Sequence, residues 1–457
     1  MKRIIIVLFL IIANAYAMAQ TSVWNGGKKL WTNGSGTESD PYLVESAENL
    51  AFLAYIVNKG FDTKGAYFKL TVDVDLNGSS NQLWTPIGLG PNVYSEDGCE
   101  RGSTSVCNTS FQGHFDGDGH TISNLYIETD PYAGLFGLVI GTEDSLVIIK
   151  NVIVSDGLIK GSIAGGIVAT GNVQVKGCKN GADVEGEIAG GVVGDGSRVC
   201  KVRNCINNGN VKGGVAGGIV GENPLEIIEC YNSGEIASDS ICSGGLSGEL
   251  YRTSVVNNCY NTGLVSATVD FAGGLFGVSR NNKAVVTNCY NVGPVLCDGL
   301  HVDGIGTSGK KYEKCYCLDT YGPSEVGTMM TAEAMRALSF VDTLSVLNEG
   351  VWGPDVNNVN DGFPILIKNS ISVSELILPQ LSVFPNPANS HIVVQGAPMK
   401  RIMIFDVFGR KVYDKEVNPY AESVSVSIEG LPNALYVLRV LLSDDTFYSQ
   451  SILVFGK

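Results

Sequence analysis

The chain has 457 residues, of which 57 are glycine; 44% are hydrophobic and only 17% charged. That balance excludes a disordered acidic tail and leaves ample apolar material for a core, while the glycines lack the every-third spacing of collagen. A formal net charge of −15 argues against a nucleic-acid backbone as partner, and four histidines in all give poor support to a His-rich zinc site.

In chain order, Lys2 and Arg3 form a basic start, Ile4 to Ala13 is apolar, and Ala17-Met18-Ala19 offers a small-residue cleavage site. Residues 1–19 read as a secretory signal peptide, too short and wrongly flanked for a spanning helix, and the mature chain is expected to begin near Gln20. No later run is long and apolar enough for a transmembrane segment. Ser46 is placed to cap a helix that carries Leu50, Leu53, Ala54 and Val57 on one face. The alternation in Tyr67-Phe-Lys-Leu-Thr-Val-Asp-Val-Asp-Leu76 predicts strand, with Asp73 and Asp75 facing outward. Cys99 and Cys107 flank a polar insertion, and a small disulfide loop is expected there. Asp116 and Asp118 lie in a glycine-rich turn, where carboxylates bonding backbone amides explain them better than a calcium loop.

From Cys178 the chain repeats. Cys178, Cys205, Cys230, Cys259 and Cys289 recur every 25 to 30 residues, each with Asn two positions later (Asn180, Asn207, Asn232, Asn261, Asn291) and an apolar residue six later. Units run into the phrases Ala189-Gly-Gly-Val-Val-Gly194, Ala216-Gly-Gly-Ile-Val-Gly221, Ser243-Gly-Gly-Leu-Ser-Gly248 and Ala272-Gly-Gly-Leu-Phe-Gly277. A unit of a few short strands broken by Gly or Asn cannot bury its own apolar face, whereas a stack of them can. The expected fold class is therefore all-β: a parallel β-helix, one unit per coil, with short flanking helices. Coils should rise by roughly 4.8 Å, with Asn bonding backbone within and between coils and Gly supplying positive φ at corners.

The phrases Gly-Leu-Phe-Gly and Gly-Gly-Ile-Val-Gly resemble the GLUG-motif repeats of bacterial surface proteins. The entry segments from Asp40 to Ile122 and the close at Asn360-Asp-Gly-Phe-Pro-Ile-Leu366 fit the same likeness, which covers about residues 24–368. It implies a β-helical adhesin or surface module and no known reaction. The end of the chain is different. Phe384-Pro-Asn-Pro-Ala388, Ile402 to Val412 and Leu431 to Val440 alternate like strands of a small β-sandwich. They closely resemble the type A sorting domain of the type IX secretion system of Bacteroidetes, with Ala434 where that family commonly has Gly. By resemblance this part is an export address read by the type IX machinery. The expected domains are a signal peptide (1–19), a β-helix passenger (20–368, repeat core about 110–320), a linker (369–380) and a sorting domain (381–457). Residues 381–457 hold seven basic and seven acidic residues, so the negative charge belongs to the passenger.

The cysteine column reads as packed core thiols, because a repeated inward position takes a small apolar side chain. No nucleophile elbow, phosphate loop or metalloprotease phrase occurs, and neither a cofactor nor a metal set is expected. Tyr231, Tyr260, Tyr290 and Tyr316 each follow a ladder cysteine and should point outward as a row of rings suited to a glycan. The parity of the repeat also turns Asp183, Glu185, Lys212 and Glu235 outward as an acidic face, with Glu187 and Asp239 nearby. The function read from these features is a secreted or cell-surface protein that binds surface glycans or host proteins. The alternative is a carbohydrate-active β-helix enzyme, a polysaccharide lyase or glycosidase, that uses the acidic face; a plain spacer is a third reading.

Overall fold

The computed structural model describes residues 21–90 and 109–367 apart from 143–144, 198, 252, 281–282, 300, 308–310, 321–323 and 347–349. It also describes 382–455 apart from 397–398, 407–409, 419–422 and 443–446. The signal peptide, the linker and the proposed Cys99–Cys107 loop lie outside the described residues.

The repeats form a parallel β-solenoid, and each coil contributes five short parallel ladders. In one coil these are Cys200–Arg203, Ile206–Asn207, the two halves of Val211–Gly217, and Val220–Glu222. The next coil repeats them in register as Glu226–Ile228, Tyr231–Asn232, the two halves of Ile236–Gly244, and Ser247–Leu250. The apolar residue six after each cysteine (Val184, Val211, Ile236, Val265, Val295) is buried, as the parity requires. At the N-terminal end the helix Ala47–Asn58 buries Leu50, Leu53, Ala54 and Val57, and the Ser46 side chain accepts from the Asn49 amide. Toward the C-terminal end of the passenger stand two short helices, Ala332–Arg336 and Leu338–Ser345.

The interior is built from polar as well as apolar columns. Each ladder Asn is fully or almost fully buried. Its Nδ2 donates to the carbonyl two residues on in its own coil and, from Asn180 to Asn261, to Oδ1 of the next Asn, at 2.8–2.9 Å for Asn180, Asn207, Asn232 and Asn261. The cysteines do more than fill space. The Cys205 amide donates to Cys230 Sγ at 3.3 Å, and the same bond joins Cys178 to Cys205, Cys230 to Cys259 and Cys259 to Cys289. Each sulfur thus satisfies a buried amide of the coil before it. The ten described cysteines are free thiols, and burial pushes the Cys230 and Cys259 thiols up, so they stay protonated.

The corners correct one expectation. The glycines of the repeated phrase do not take positive φ. They are required because a side chain would not fit: a Cβ on Gly191 would lie 2.3 Å from the Asn207 amide carbon and 2.2 Å from the Gly218 oxygen. The phrase and the Asn column are one packing unit. Left-handed backbone instead occurs immediately before each ladder cysteine, at Gly177, Asn204, Glu229, Asn258, Asn288 and Lys314, with φ between +53° and +63°. Asn adopts this geometry at less cost than Lys does. Lys314→Gly should therefore raise the melting temperature, by a stabilisation of about 1 kcal/mol; an unchanged or lower melting temperature would contradict the corner account.

The tail has a hydrophobic core of its own. A three-stranded antiparallel sheet (Ser382–Phe384, His391–Gln395, Ser423–Ser427) and a four-stranded one (Met399–Phe405, Lys411–Glu416, Ala434–Leu442, Phe447–Val454) share a core around Ile392, Val394, Ile404, Val426, Leu438 and Ile452. This is the small sandwich that the alternation predicts.

Candidate functional site

The tyrosine row forms, but it is not the surface that parity suggests. Tyr231, Tyr260 and Tyr290 stack with centroids 4.7 and 5.0 Å apart and planes within 7°. Tyr260 is 3% exposed and Tyr290 fully buried, while Tyr231 and Tyr316 are half-buried. The Asn288 side chain donates to the Leu344 carbonyl at 2.7 Å, so the segment around Leu344 lies over this stretch. An extended glycan has no access to Tyr260 or Tyr290, and Tyr260→Ser removes core rather than surface.

A groove does run along the ladders that carry the predicted acidic face. It encloses about 710 Å³ and is lined over successive coils by Glu128 and Asp130, Lys160 and Ser162, Glu185 and Glu187, Lys212, Asp239 and Ser240. Its floor is glycine because the coils leave no space there: a Cβ on Gly186 would meet the Gly161 oxygen at 2.6 Å, and one on Gly213 the Gly186 oxygen at 2.6 Å. One wall is a register ladder of alternating sign, Glu128–Lys160–Glu185–Lys212. Lys160 Nζ lies 3.7 Å from Glu185 Oε2. Across the floor, Asp130 Oδ1 accepts from the Ser162 amide at 2.7 Å and its hydroxyl at 2.9 Å. Of the predicted acidic-face residues, Glu185 and Lys212 line the groove. Asp183 and Glu235 do not: they belong to the corner before it, where Asp183 Oδ1 accepts from the Asn210 amide and the Glu235 amide donates to Asn210 Oδ1.

A second carboxylate group was not anticipated. Asp195, Glu222 and Glu249 are register partners on three adjacent coils of the fifth ladder. Arg280 Nε donates to Glu249 Oε1 at 2.5 Å. Asp195 Oδ1 accepts from the Ser197 amide at 2.9 Å and from Asn223 Nδ2 at 3.0 Å. Glu222, between two carboxylates, has the weakest compensation. Burial, then the charges of Asp195 and Glu249, push its carboxyl up to about 7, against the opposing pull of Arg280. The pattern was present in the sequence as the residue that follows the last glycine of three successive phrases. Because the folded value is raised, the contribution of Glu222 to stability is complete below its ordinary value near 4.5 and is lost as pH rises through about 7. Comparing melting temperatures at pH 5 and pH 8, Glu222→Gln should narrow the difference; an unaltered pH dependence would refute this placement of the charge.

Comparison with known proteins adds the following. Residues 382–454 match the family described as "Secretion system C-terminal sorting domain". The chain is 31% identical over 149 residues to a "Putative Gly-rich membrane protein" of Evansella cellulosilytica, and 32% identical over 139 residues to "Halomucin" of Haloquadratum walsbyi. Each match covers 30% of this chain, but only 15% and 1% of those much longer relatives. In fold, the chain is similar to a crystal structure from Bacteroides ovatus described as "a putative immunoglobulin A1 protease". That likeness has a TM-score of 0.50 and 19% identity, and covers 74% of this chain and 95% of that one. At this identity it speaks for the fold alone. Among the described residues no helix is long and apolar enough to cross a membrane. The chain is thus a parallel β-solenoid that carries at its C-terminal end the sorting domain of type IX secretion, and so an exported protein.

Proposed function

We propose that the exported solenoid is a binding protein, an adhesion-type module, whose ligand is a hydroxyl-rich glycan strand lying along the glycine-floored groove. The observation that carries this reading is the groove itself, a volume of about 710 Å³ lined by side chains of successive coils. Alternating carboxylates and ammonium groups along one wall supply acceptors and donors in turn, and sugar hydroxyls both donate and accept. A groove along the stacking axis also suits a polymer better than a compact ligand. In this reading the passenger follows the GLUG-type surface proteins, spans about residues 20–368, and is displayed at or released from the outer face of the outer membrane.

The test is binding of neutral oligosaccharides to the full chain and to two variants, read by calorimetry or a glycan array. Ser240→Trp fills an exposed position of the groove, and Lys212→Ala removes a donor from its wall. Each should weaken binding about tenfold with the melting temperature kept. Unchanged binding by both variants would exclude the groove.

One observation favours a second reading, cleavage of a polysaccharide. Glu222, its carboxyl pushed up to about 7, has Asp195 and Glu249 as register partners on the two adjacent coils, and a raised carboxyl beside an ionised one is the pairing that acid–base cleavage uses. Reducing-sugar release that is abolished by Glu222→Gln would establish it; no release from polysaccharides that the groove binds would leave the binding reading alone.

A further inference from the structure

In a chain of net charge −15, one stripe of the solenoid has the opposite sign. On the first ladder Lys69, Asp116, Lys150, Lys176 and Arg203 are successive register partners, so the row runs about 19 Å along the axis. Its ion pairs leave it unevenly neutralised. Lys69 Nζ is 2.9 Å from Asp118, Lys150 Nζ is 3.0 Å from Asp116, and Arg203 pairs with Glu226. Lys176 has no ion-pair partner among the described residues and lies between two other cations. Like charges directly opposite one another on adjacent strands are unfavourable, and an anion seated over them removes that repulsion.

Beside the row is a cavity of about 520 Å³, lined by Tyr67, Lys69, His114, Lys150, Gln174 and Lys176 among others. The Tyr67 and His114 rings stack at 4.5 Å. The Ile148 amide donates to His114 Nδ1 at 3.1 Å, which leaves Nε2 as the ring's proton-bearing nitrogen. Burial holds the imidazole below its ordinary range, against the pull of Glu38, consistent with a neutral ring. Donors therefore dominate: the Tyr67 hydroxyl, His114 Nε2–H, the Gln174 amide and three ammonium groups, of which Lys69 and Lys150 also pair with Asp118 and Asp116. Asp116 is engaged with Lys150, Asn151 and the Asp118 amide, and Glu38 stands exposed at one side.

We propose that this cavity and the basic row form a second binding site, which takes an anionic saccharide segment, uronate-bearing or sulfated, laid along the solenoid axis with its acid groups on Lys150 and Lys176 and its hydroxyls on the Tyr67–His114 side. A nucleic-acid strand fits less well, because the rings of the stacked pair cover one another's faces and the rest of the molecule repels a polyphosphate. The site lies on a different ladder from the glycine-floored groove and does not depend on it.

The experiment titrates the full chain at low salt with four probes: an oligogalacturonate, a sulfated oligosaccharide, a neutral cello-oligosaccharide and a single-stranded oligonucleotide. The expected result is binding of one or both acidic saccharides, weakened by added salt. It should fall at least tenfold in Lys176→Glu and about threefold in Lys176→Gln, with the melting temperature kept, and remain in Ser240→Trp. Whichever acidic saccharide binds more tightly identifies the acid group as carboxylate or sulfate. No binding of either acidic saccharide, equal binding of the neutral one, tighter binding of the oligonucleotide, or indifference to Lys176→Glu would overturn the proposal. Loss in Ser240→Trp with retention in Lys176→Glu would assign the acidic saccharide to the other groove and equally refute this one.

Discussion

Deletion of residues 381–457 should abolish surface display and secretion while the solenoid still folds. The tail has its own core, formed by residues from Val383 to Val454, and the solenoid core is complete without it, formed by residues from Val44 to Cys317. Neither unit needs the other's apolar surface to bury its own, so the truncated chain should melt as a folded protein. What it lacks is the sorting domain, matched at 382–454, that the type IX machinery recognises. The expected phenotype is accumulation in the periplasm, measured by fractionation and by protease accessibility on intact cells. Transfer of residues 369–457 to an unrelated periplasmic protein should send it outward. Surface display of the truncated chain at normal levels would show that export does not depend on the sorting domain.

The largest point-mutation effect is expected in the asparagine column. Asn232 donates to the Gly234 carbonyl and to Asn261 Oδ1, and accepts from Asn207 Nδ2, all at 2.8 Å, with no exposed surface. Asn232→Leu removes three buried hydrogen bonds at once. It also forces a branched side chain against Gly218, where even a Cβ would meet the Asn232 amide carbon at 2.5 Å. A loss of about 3–5 kcal/mol follows from the hydrogen bonds and the unpaired groups left behind. Hydrogen exchange should show it as faster opening of the coils on either side, since each coil contacts only its neighbours. Cys230→Ala should be milder, about 2 kcal/mol: a small buried group is lost and the Cys205 amide is left without its acceptor. Cys230→Asp should match or exceed the Asn232 change, because a charge would be buried without a partner. If Cys230→Ala instead costs nothing, the amide–sulfur bond contributes no stability and the column is packing alone.

The column residues were legible because a solenoid copies one environment many times. Cys178 to Cys289 and Asn180 to Asn291 recur in the sequence for the same reason that they stack in the structure, and burial of Val184, Val211 and Ile236 follows from parity alone. The sorting domain was legible for another reason: its phrases stand in a short chain order with little between them. Parity also turned Glu185 and Lys212 toward what proved to be the groove. Two further charge patterns stand at constant offsets in the sequence: the acidic residue after the last glycine of three phrases, and the basic residue two before Cys178 and Cys205.

Other features depend on the whole fold. Parity says which side of a strand a residue faces, but not what lies over that side. The outward rings of Tyr260 and Tyr290 are buried all the same, and the Leu344 carbonyl, more than 50 residues along the chain, accepts from Asn288 two positions before Tyr290. The glycines after Ala189 and Ala216 are expected from sequence to supply positive φ at corners, and only the approach of Asn207 and Asn232 shows that they are there to leave room. The raised carboxyl of Glu222 needs Asp195 and Glu249 stacked in register above and below it. A sequence determined the period, the inward columns and the export address of this protein, because each is a local pattern repeated or kept contiguous. Tertiary structure decided which outward surfaces stay open and where like charges meet, because those follow from contacts between coils and from segments far along the chain.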